Sequence, residues 1–265
     1  MVEAELLFSS ILNCDRLSLY LNKESLLDKD NSLFVSCVLK RRIKGEPIQY
    51  ILGKTEFMGF EFKLTADVLI PRPETEILVE TVIKQLSALS PQPSALKILD
   101  VGAGSGCIAV TLAKLLPAIE LTATDISQAA LKIAKDNAIM HKVLERIKFF
   151  RSDLFASCEL GVASYDIIIS NPPYIASKEI DKLQPEIKYE PRIALDGGTD
   201  GLGIYGRLIA SSPRYLKKGG LLILEIGFNQ GQALKNIFRK YKDFKIIEVV
   251  KDYNNIERVI VAQNG

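Results

Sequence analysis

The chain has 265 residues, 48% of them hydrophobic and 25% charged, with a formal net charge of +2. Such a length allows one large or two modest domains with a real core, and such a balance is that of an ordinary soluble globular protein. A net charge this small gives no independent reason to expect nucleic acid as a partner. The four cysteines, Cys14, Cys37, Cys107 and Cys158, are scattered and form no cluster with the single His141. Neither a disulfide framework nor a structural metal is therefore expected, and the default compartment is a reducing cytoplasm. No stretch approaches ~18 uninterrupted apolar residues, and the N-terminus lacks a basic lead into an apolar core, so neither a membrane nor export is expected.

Residues 1 to about 53 read as helices. Leu6, Leu7, Ile11 and Leu12 recur at helical spacing, as do Leu33, Phe34, Val38 and Leu39. Ser25 and Asn31-Ser32 are expected helix starts. Lys40-Arg41-Arg42-Ile43-Lys44-Gly45 ends a helix with cations at its negative end and a glycine stop, and reads as a solvated helix end. Segment 1–54 is thus a small helical domain, too small for chemistry and suited to holding a partner. Thr55 to Leu64 carries two short aromatic strands around Met58-Gly59, a β-hairpin at the start of a linker over 55–69. The remainder, 70–265, opens with Ile70-Pro71-Arg72-Pro73-Glu74-Thr75-Glu76, where Pro73 and the glutamates start a helix through Ile77, Leu78, Val82 and Ile83. Ser87 to Ala95, rich in serine and proline, reads as a surface loop.

Beyond it strands alternate with helices. Strands are expected at Leu96–Val101, Leu121–Thr124, Lys148–Arg151, Asp166–Ser170, Gly220–Ile226, Phe244–Val250 and Arg258–Ala262. Helices are expected at Cys107–Leu116, Gln128–Met140, Gly203–Leu216 and Gln230–Tyr241. This alternation predicts an α/β fold with a mostly parallel seven-stranded sheet covered on both faces. The last two strands, joined only by Asp252–Glu257, are expected as an antiparallel edge hairpin, since a parallel pair needs a crossover.

Two stretches carry chemistry. The first is Asp100-Val101-Gly102-Ala103-Gly104-Ser105-Gly106, between an apolar strand and a helix beginning near Cys107. Glycines there let the backbone approach a ligand and turn sharply. A dinucleotide fingerprint wants its third glycine at 107, where cysteine stands, and Asp100 is poorly placed for a pyrophosphate but well placed for a cation. S-adenosylmethionine fits: its ammonium and sulfonium are positive and its adenosine is neutral. Asp125 ends the next strand, where a carboxylate can hold both ribose hydroxyls. Asp153 follows the third, where it can accept from an adenine amino group, with Leu154 packing beside the base. Either aspartate taken singly is equally a helix cap or a turn residue.

The second stretch is Asn171-Pro172-Pro173-Tyr174, after Tyr165-Asp166-Ile167-Ile168-Ile169-Ser170. The double proline leaves a stiff loop at the carboxyl end of a buried strand, where ligands of open α/β sheets bind. Asn171 offers a carbonyl acceptor and an amide donor, and Tyr174 a flat face. Such a loop can grip a planar group bearing an amino nitrogen. Glu225, at a strand end, is a further acid near the site. His141 is placed on a helix surface and given no role.

These residues together resemble the class I S-adenosylmethionine-dependent methyltransferases, and more narrowly the release-factor glutamine N5-methyltransferases. The resemblance runs over nearly the whole chain. It includes Gly45-Glu46-Pro47-Ile48, Glu56-Phe57, the Ile70–Glu76 stretch, Asp100 to Gly106, Asn171 to Ile175, and Asp252-Tyr253 with Glu257-Arg258. Leu154 departs from it, since some relatives carry an aromatic residue there. The resemblance implies a Rossmann-like methyltransferase domain behind a helical substrate-docking domain. It implies S-adenosylmethionine as cofactor, S-adenosylhomocysteine as product, and the glutamine of a Gly-Gly-Gln motif in bacterial release factors as substrate. Asn171 and the Pro172 carbonyl would accept the amide hydrogens, Tyr174 and Pro173 would pack on the amide plane, and the enzyme would act as a cytoplasmic monomer without direct nucleic-acid contact. Two other readings stay open: an adenine N6-methyltransferase, whose target amine meets the same loop, and a non-catalytic release-factor-binding protein.

Overall fold

The computed structural model describes residues 3–21, 27–89, 96–157, 159–162 and 164–265. Four helices come first: α1 (Glu3–Leu12), α2 (Arg16–Leu21), α3 (Lys29–Arg42) and α4 (Ile48–Leu52). Helices α1, α3 and α4 share a small core of Leu7, Val38, Ile48 and Ile51. Helix α3 starts two residues before the expected Asn31-Ser32, because Asp28 caps it by accepting from the Asn31 N–H at 2.7 Å. The other expected start, Ser25, lies outside the described residues. Of the α3 residues at the expected helical spacing, only Val38 is buried, and Leu33, Phe34 and Leu39 face outward. The basic run is half engaged: Arg41 pairs with Glu46, and Arg42 pairs with both Glu3 and Glu186.

The hairpin follows, β1 (Lys54–Phe57) against β2 (Phe60–Lys63). Met58 and Gly59 both take positive φ, which matches the twist of a tight hairpin. His141 packs on Phe60 and Phe62 and bonds the Glu61 carbonyl at 2.7 Å, so it is half-buried between hairpin and helix, not free on a surface. Helix α5 (Pro73–Leu89) runs on past Ser87, which replaces the start of the expected surface loop; residues 90–95 lie outside the described residues.

The strands β3 (Lys97–Val101), β4 (Glu120–Asp125), β5 (Ile147–Arg151), β6 (Tyr165–Ser170), β7 (Leu216–Glu225), β8 (Phe244–Lys251) and β9 (Glu257–Asn264) form one sheet in the order β5-β4-β3-β6-β7-β9-β8. All pairs are parallel except β7–β9 and β8–β9, so the expected edge hairpin is present. Between β3 and β6 the winding reverses, which opens a crevice beyond their carboxyl ends. Residues alternate across β6: Ile167 and Ile169 join the core under α5 and α6 (Cys107–Leu115), and Ile168 joins the core under helices of the other face. That double burial is why the run is continuously apolar. Its one exception, Asp166, accepts from the Lys97 N–H and the Lys217 ammonium, each at 2.8 Å.

Helix α7 (Gln128–Met140) follows β4. The sequence predicts no element between β6 and the next long helix. The structure has α8 (Ser177–Ile180) and two short 3-10 turns there, over Pro185–Tyr189 and Arg192–Ala194. Helix α9 (Gly203–Ser211) ends five residues earlier than expected, because Pro213 cannot continue its ladder. Strand β7 then starts four residues early, at Leu216. Helix α10 (Gly231–Phe238) completes the fold. Among the described residues no helix is long and apolar enough to cross a membrane.

Candidate functional site

At the switch point the ends of β3, β4 and β6 surround a cavity of about 230 Å³. The Ser170 hydroxyl donates to the Val101 carbonyl at 2.6 Å, which ties the end of β6 to the end of β3. This bond holds the glycine loop and the Asn171 loop side by side. Gly102, Ala103, Gly104 and Ser105 all line the cavity. The N–H groups of Gly102 and Ala103 both donate to the Thr124 carbonyl, at 2.8 and 2.9 Å, so the loop is pinned to the neighbouring strand.

Gly106 stands behind that wall, at φ +79°, where an added Cβ would lie 3.0 Å from Ala134 of α7. Only a glycine lets α6 begin this close to α7. Asn137, fully buried on α7, completes the scaffold. Its amide donates to the carbonyls of Ser105 (2.8 Å) and Lys63 (3.1 Å), and its oxygen accepts from the Lys63 N–H at 2.8 Å. Hairpin, helix and glycine loop meet on that one side chain, which nothing in the sequence singled out.

The acids behave differently from one another. Asp100 is wholly buried beneath the loop, and neither carboxylate oxygen has a hydrogen-bond partner. Burial, and secondarily the Asp125 charge, push its pKa up to about 7. A carboxylate kept at this cost fits a cationic group at the loop. Asp125, at the end of β4, lines the cavity and accepts from the N–H groups of Gly104 and Ser127, each at 2.8 Å. A carboxylate has about four lone-pair sites, so two remain for a diol. Burial raises its pKa, opposed by those same N–H groups. Asp153 and Leu154 also line the cavity, and Asp153 pairs with Arg207 at 2.8 Å through one oxygen, leaving the other open. Asp125 and Asp153 thus stand along one cavity, and Asp100, expected at the same site, lies outside its lining, buried beneath the glycine loop; the two lining acids suit the ribose and base of S-adenosylmethionine. Among the described residues no group of His, Cys, Asp and Glu is arranged to hold a metal ion.

Asn171 and Pro173 line the same cavity; Pro172 is buried and Tyr174 lies outside the lining. The Tyr174 ring instead stands against Gly227, its hydroxyl pKa raised to about 12 by burial, and its carbonyl accepts from Gln230 at 2.9 Å. The Asn171 amide donates to the Thr75 hydroxyl at 3.0 Å. Thr75 and Arg72 also line the cavity, so the proline-rich stretch before α5 forms its wall. Arg72 reaches the buried Glu190 at 2.6 Å, and that pair anchors the segment whose Pro191, Ile193 and Ala194 close the far side. The sequence carried no signal for those three residues: they have neither periodicity nor a reactive group. Tyr50 of α4 donates to the Val68 carbonyl at 2.6 Å, so the helical part props the near wall.

Two family models match the chain: a methyltransferase small domain over residues 74–188 and a PrmC N-terminal domain over residues 1–53. The chain is 41% identical to the release factor glutamine methyltransferase of Geobacter sulfurreducens, over 100% of this chain and 89% of that protein. It is 42% identical to the one of Koribacter versatilis, over 99% and 90%. Among solved structures, the N-terminal domain of human METTL16 in complex with SAH has the same fold, with a TM-score of 0.53 at 19% identity, over 87% of this chain and 80% of that one. Full-length identity near 40%, on a class I methyltransferase sheet with its glycine loop and Asn-Pro-Pro-Tyr loop side by side, places the chain: it belongs to the release factor glutamine methyltransferase family.

Proposed function

We propose that this chain methylates the side-chain amide nitrogen (N5) of the glutamine in the Gly-Gly-Gln motif of bacterial class 1 peptide-chain release factors. The observation that carries the reading is Asn171. Its nitrogen is tied back to Thr75, which supports an orientation with Oδ1 facing the cavity beside the glycine loop. The cofactor of the reading is S-adenosylmethionine, with Asp100 opposite the ammonium, the 102–106 loop along the methionyl end, Asp125 at the ribose, and Asp153 with Leu154 at the adenine. When bound it supplies an electrophilic methyl group on a sulfonium, and leaves as S-adenosylhomocysteine.

The residues of the chain do the rest. An amide nitrogen is a poor nucleophile, because its lone pair is delocalised into the carbonyl. Asn171 Oδ1 and the Pro172 carbonyl accept its two hydrogens, which orients the nitrogen and favours the positive charge it develops. Pro173 packs on the amide plane, with Tyr174 behind it holding the loop. The proton released from nitrogen passes to water. In this reading 1–54 docks the release factor, 55–69 joins the parts and 70–265 holds the cofactor. The outward-facing Leu33, Phe34 and Ile43 support the docking role. The enzyme acts as a monomer, in the cytoplasm where release factors work, without direct contact to nucleic acid.

The test is methyl transfer from labelled S-adenosylmethionine to a purified release factor. Label that disappears with Asn171→Ala, or when the target glutamine is changed to alanine, is the expected result. Label absent from the release factor but present on duplex DNA or ribosomal RNA overturns the reading in favour of an adenine target.

A further inference from the structure

Two prolines leave the Asn171–Tyr174 loop without backbone donors at 172 and 173, so donors from elsewhere have to reach its carbonyls and hold it. Just past the loop, Ile175 is held on one side. Its N–H donates to the Leu195 carbonyl at 2.9 Å, and its carbonyl accepts from the Gly197 N–H at 2.8 Å. Tyr174 is held on the other side by one side chain: Gln230 Nε2 donates to the Tyr174 carbonyl at 2.9 Å.

Gln230 is the residue just before α10, in the turn that follows β7. Its Oε1 accepts from the Gly227 N–H at 3.0 Å, and its Nε2 also reaches the Gly201 carbonyl at 3.4 Å. A backbone N–H only donates and a carbonyl only accepts, so these partners allow the amide one orientation. Both ends of the side chain are engaged, on backbone groups from three separate segments: the loop after β6, the turn before α9 and the turn after β7. Two glycines make room for it. At Gly227 an added Cβ would lie 2.6 Å from Gln230 Oε1 and 2.9 Å from the Tyr174 ring, and at Gly201 it would collide with the Tyr174 carbonyl oxygen.

Gln230 itself lies outside the cavity lining, whereas Asn171 and Pro173 are part of it. The two intervening prolines have fixed φ, so a shift at Tyr174 is not absorbed within the loop. It carries back along a stiff segment to the Pro172 carbonyl and to Asn171.

We propose that Gln230 is a positioning residue for methyl transfer: it clamps the Tyr174 carbonyl and, through the two rigid prolines, sets where the Pro172 carbonyl and Asn171 stand. The inference rests on those two groups accepting the substrate amide, as proposed above. A narrower role competes with it, in which Gln230 only closes its own turn through Gly227 and starts α10. Gln230→Glu separates the two. A carboxylate still accepts from the Gly227 N–H and suits the positive end of a helix, but it has no hydrogen to give the Tyr174 carbonyl.

The experiment is steady-state methylation of a release factor by Gln230→Glu and by Gln230→Met, which keeps the volume without the charge. Gln232→Glu serves as an exposed control on the same helix, with Asn171→Ala alongside. Cofactor affinity is measured on each variant by calorimetry. Loss of one net hydrogen bond is worth about tenfold in rate, and misplacement of a reacting group by about 1 Å up to about a hundredfold. Both Gln230 variants are therefore expected to lower kcat about ten- to a hundredfold. KM for the release factor and cofactor affinity stay within about twofold of wild type, and Gln232→Glu matches wild type. Gln230→Glu with wild-type kcat overturns the positioning role, since closing the turn is then enough; wild-type kcat in Gln230→Met overturns it as well. Cofactor affinity that falls in step with kcat in both variants also overturns it, because general disruption then explains the loss. Unaltered kcat in the Gln230 variants beside a loss in Asn171→Ala overturns the clamp and leaves the amide-acceptor reading standing. Full activity in Asn171→Ala overturns both readings together.

Discussion

Replacing Gly106 by alanine tests the claim that the start of α6 is set by backbone approach to α7. Gly106 has φ +79°, and an added Cβ would meet Ala134 Cα and Cβ at 3.0 Å and its carbonyl oxygen at 3.4 Å. Those are main-chain and first side-chain atoms, with no flexible end to move aside. A left-handed conformation costs an L-residue about 1–2 kcal/mol. Overpacking a close contact adds about 1–3 kcal/mol. The lower entropy of the unfolded alanine chain returns about 0.4–1 kcal/mol. The net expectation is a loss of about 2–4 kcal/mol. Gly59→Ala is the matched control, because Gly59 has φ +74° and nothing within 4 Å of its added Cβ. It carries the strain alone, about 1 kcal/mol after the entropy return. Urea unfolding of both variants, with unchanged slope and shifted midpoint, reads the difference. If Gly106→Ala loses no more than Gly59→Ala, the close approach to Ala134 does not hold the loop, and the argument fails.

Three more outcomes follow from the site. Asp100 and Glu225 hold protons more firmly folded than unfolded, so their contribution to stability is full below pH about 4 and is lost as the pH rises through about 7. Without cofactor, Asp100→Asn is therefore expected to stabilise the protein at pH 8 and not at pH 4, by up to about 4 kcal/mol for roughly three pH units. Its affinity for S-adenosylmethionine should fall by about 1.5–3 kcal/mol in calorimetric titration, the worth of a hydrogen bond to a charged group. Equal melting curves of variant and wild type at pH 8 would count against the buried charge. Arg72→Met leaves Glu190 buried without its cation and is expected to cost about 3 kcal/mol, most of which Glu190→Gln in the same chain restores. A double variant as unstable as the single one refutes that pairing. Asn137→Ala removes three bonds at one buried point and is expected to cost about 3 kcal/mol. Hydrogen exchange should quicken at the Lys63 N–H, whose bond is lost outright; exchange at the wild-type rate there would falsify the tie between hairpin and α7.

Much of the architecture is legible in the residues because it is local. The β6 run announces a doubly buried strand through its unbroken isoleucines, and Met58-Gly59 announces a hairpin through the positive φ it has to adopt. The glycine loop and Asn-Pro-Pro-Tyr are legible for the same reason: each is a contiguous backbone device at the end of a strand. The limits of α9 and β7 were less legible, since Pro213 and Gly219 interrupt a run whose polarity alone does not separate helix from strand. The segment from Ala176 to Leu202 could not be read at all. It is held by long-range contacts, such as Ile175 N–H to the Leu195 carbonyl and Arg72 to Glu190, and has no period of its own.

By itself the sequence determined the strand and helix alternation, the two cavity-lining loops and the acids at or just past three successive strand ends, because periodicity, glycine freedom and proline stiffness act within a few residues. Only the tertiary structure decided which side chains stand next to one another. It brought Thr75 and Asn171, 96 positions apart in the numbering, into hydrogen-bond contact, and left Asp100 buried without a partner. It also turned Tyr174 away from the cavity and set Arg72 in its wall. Burial and bonding direction are properties of a packed neighbourhood. They come into being only when the sheet closes its strands side by side and the crevice opens where the winding reverses.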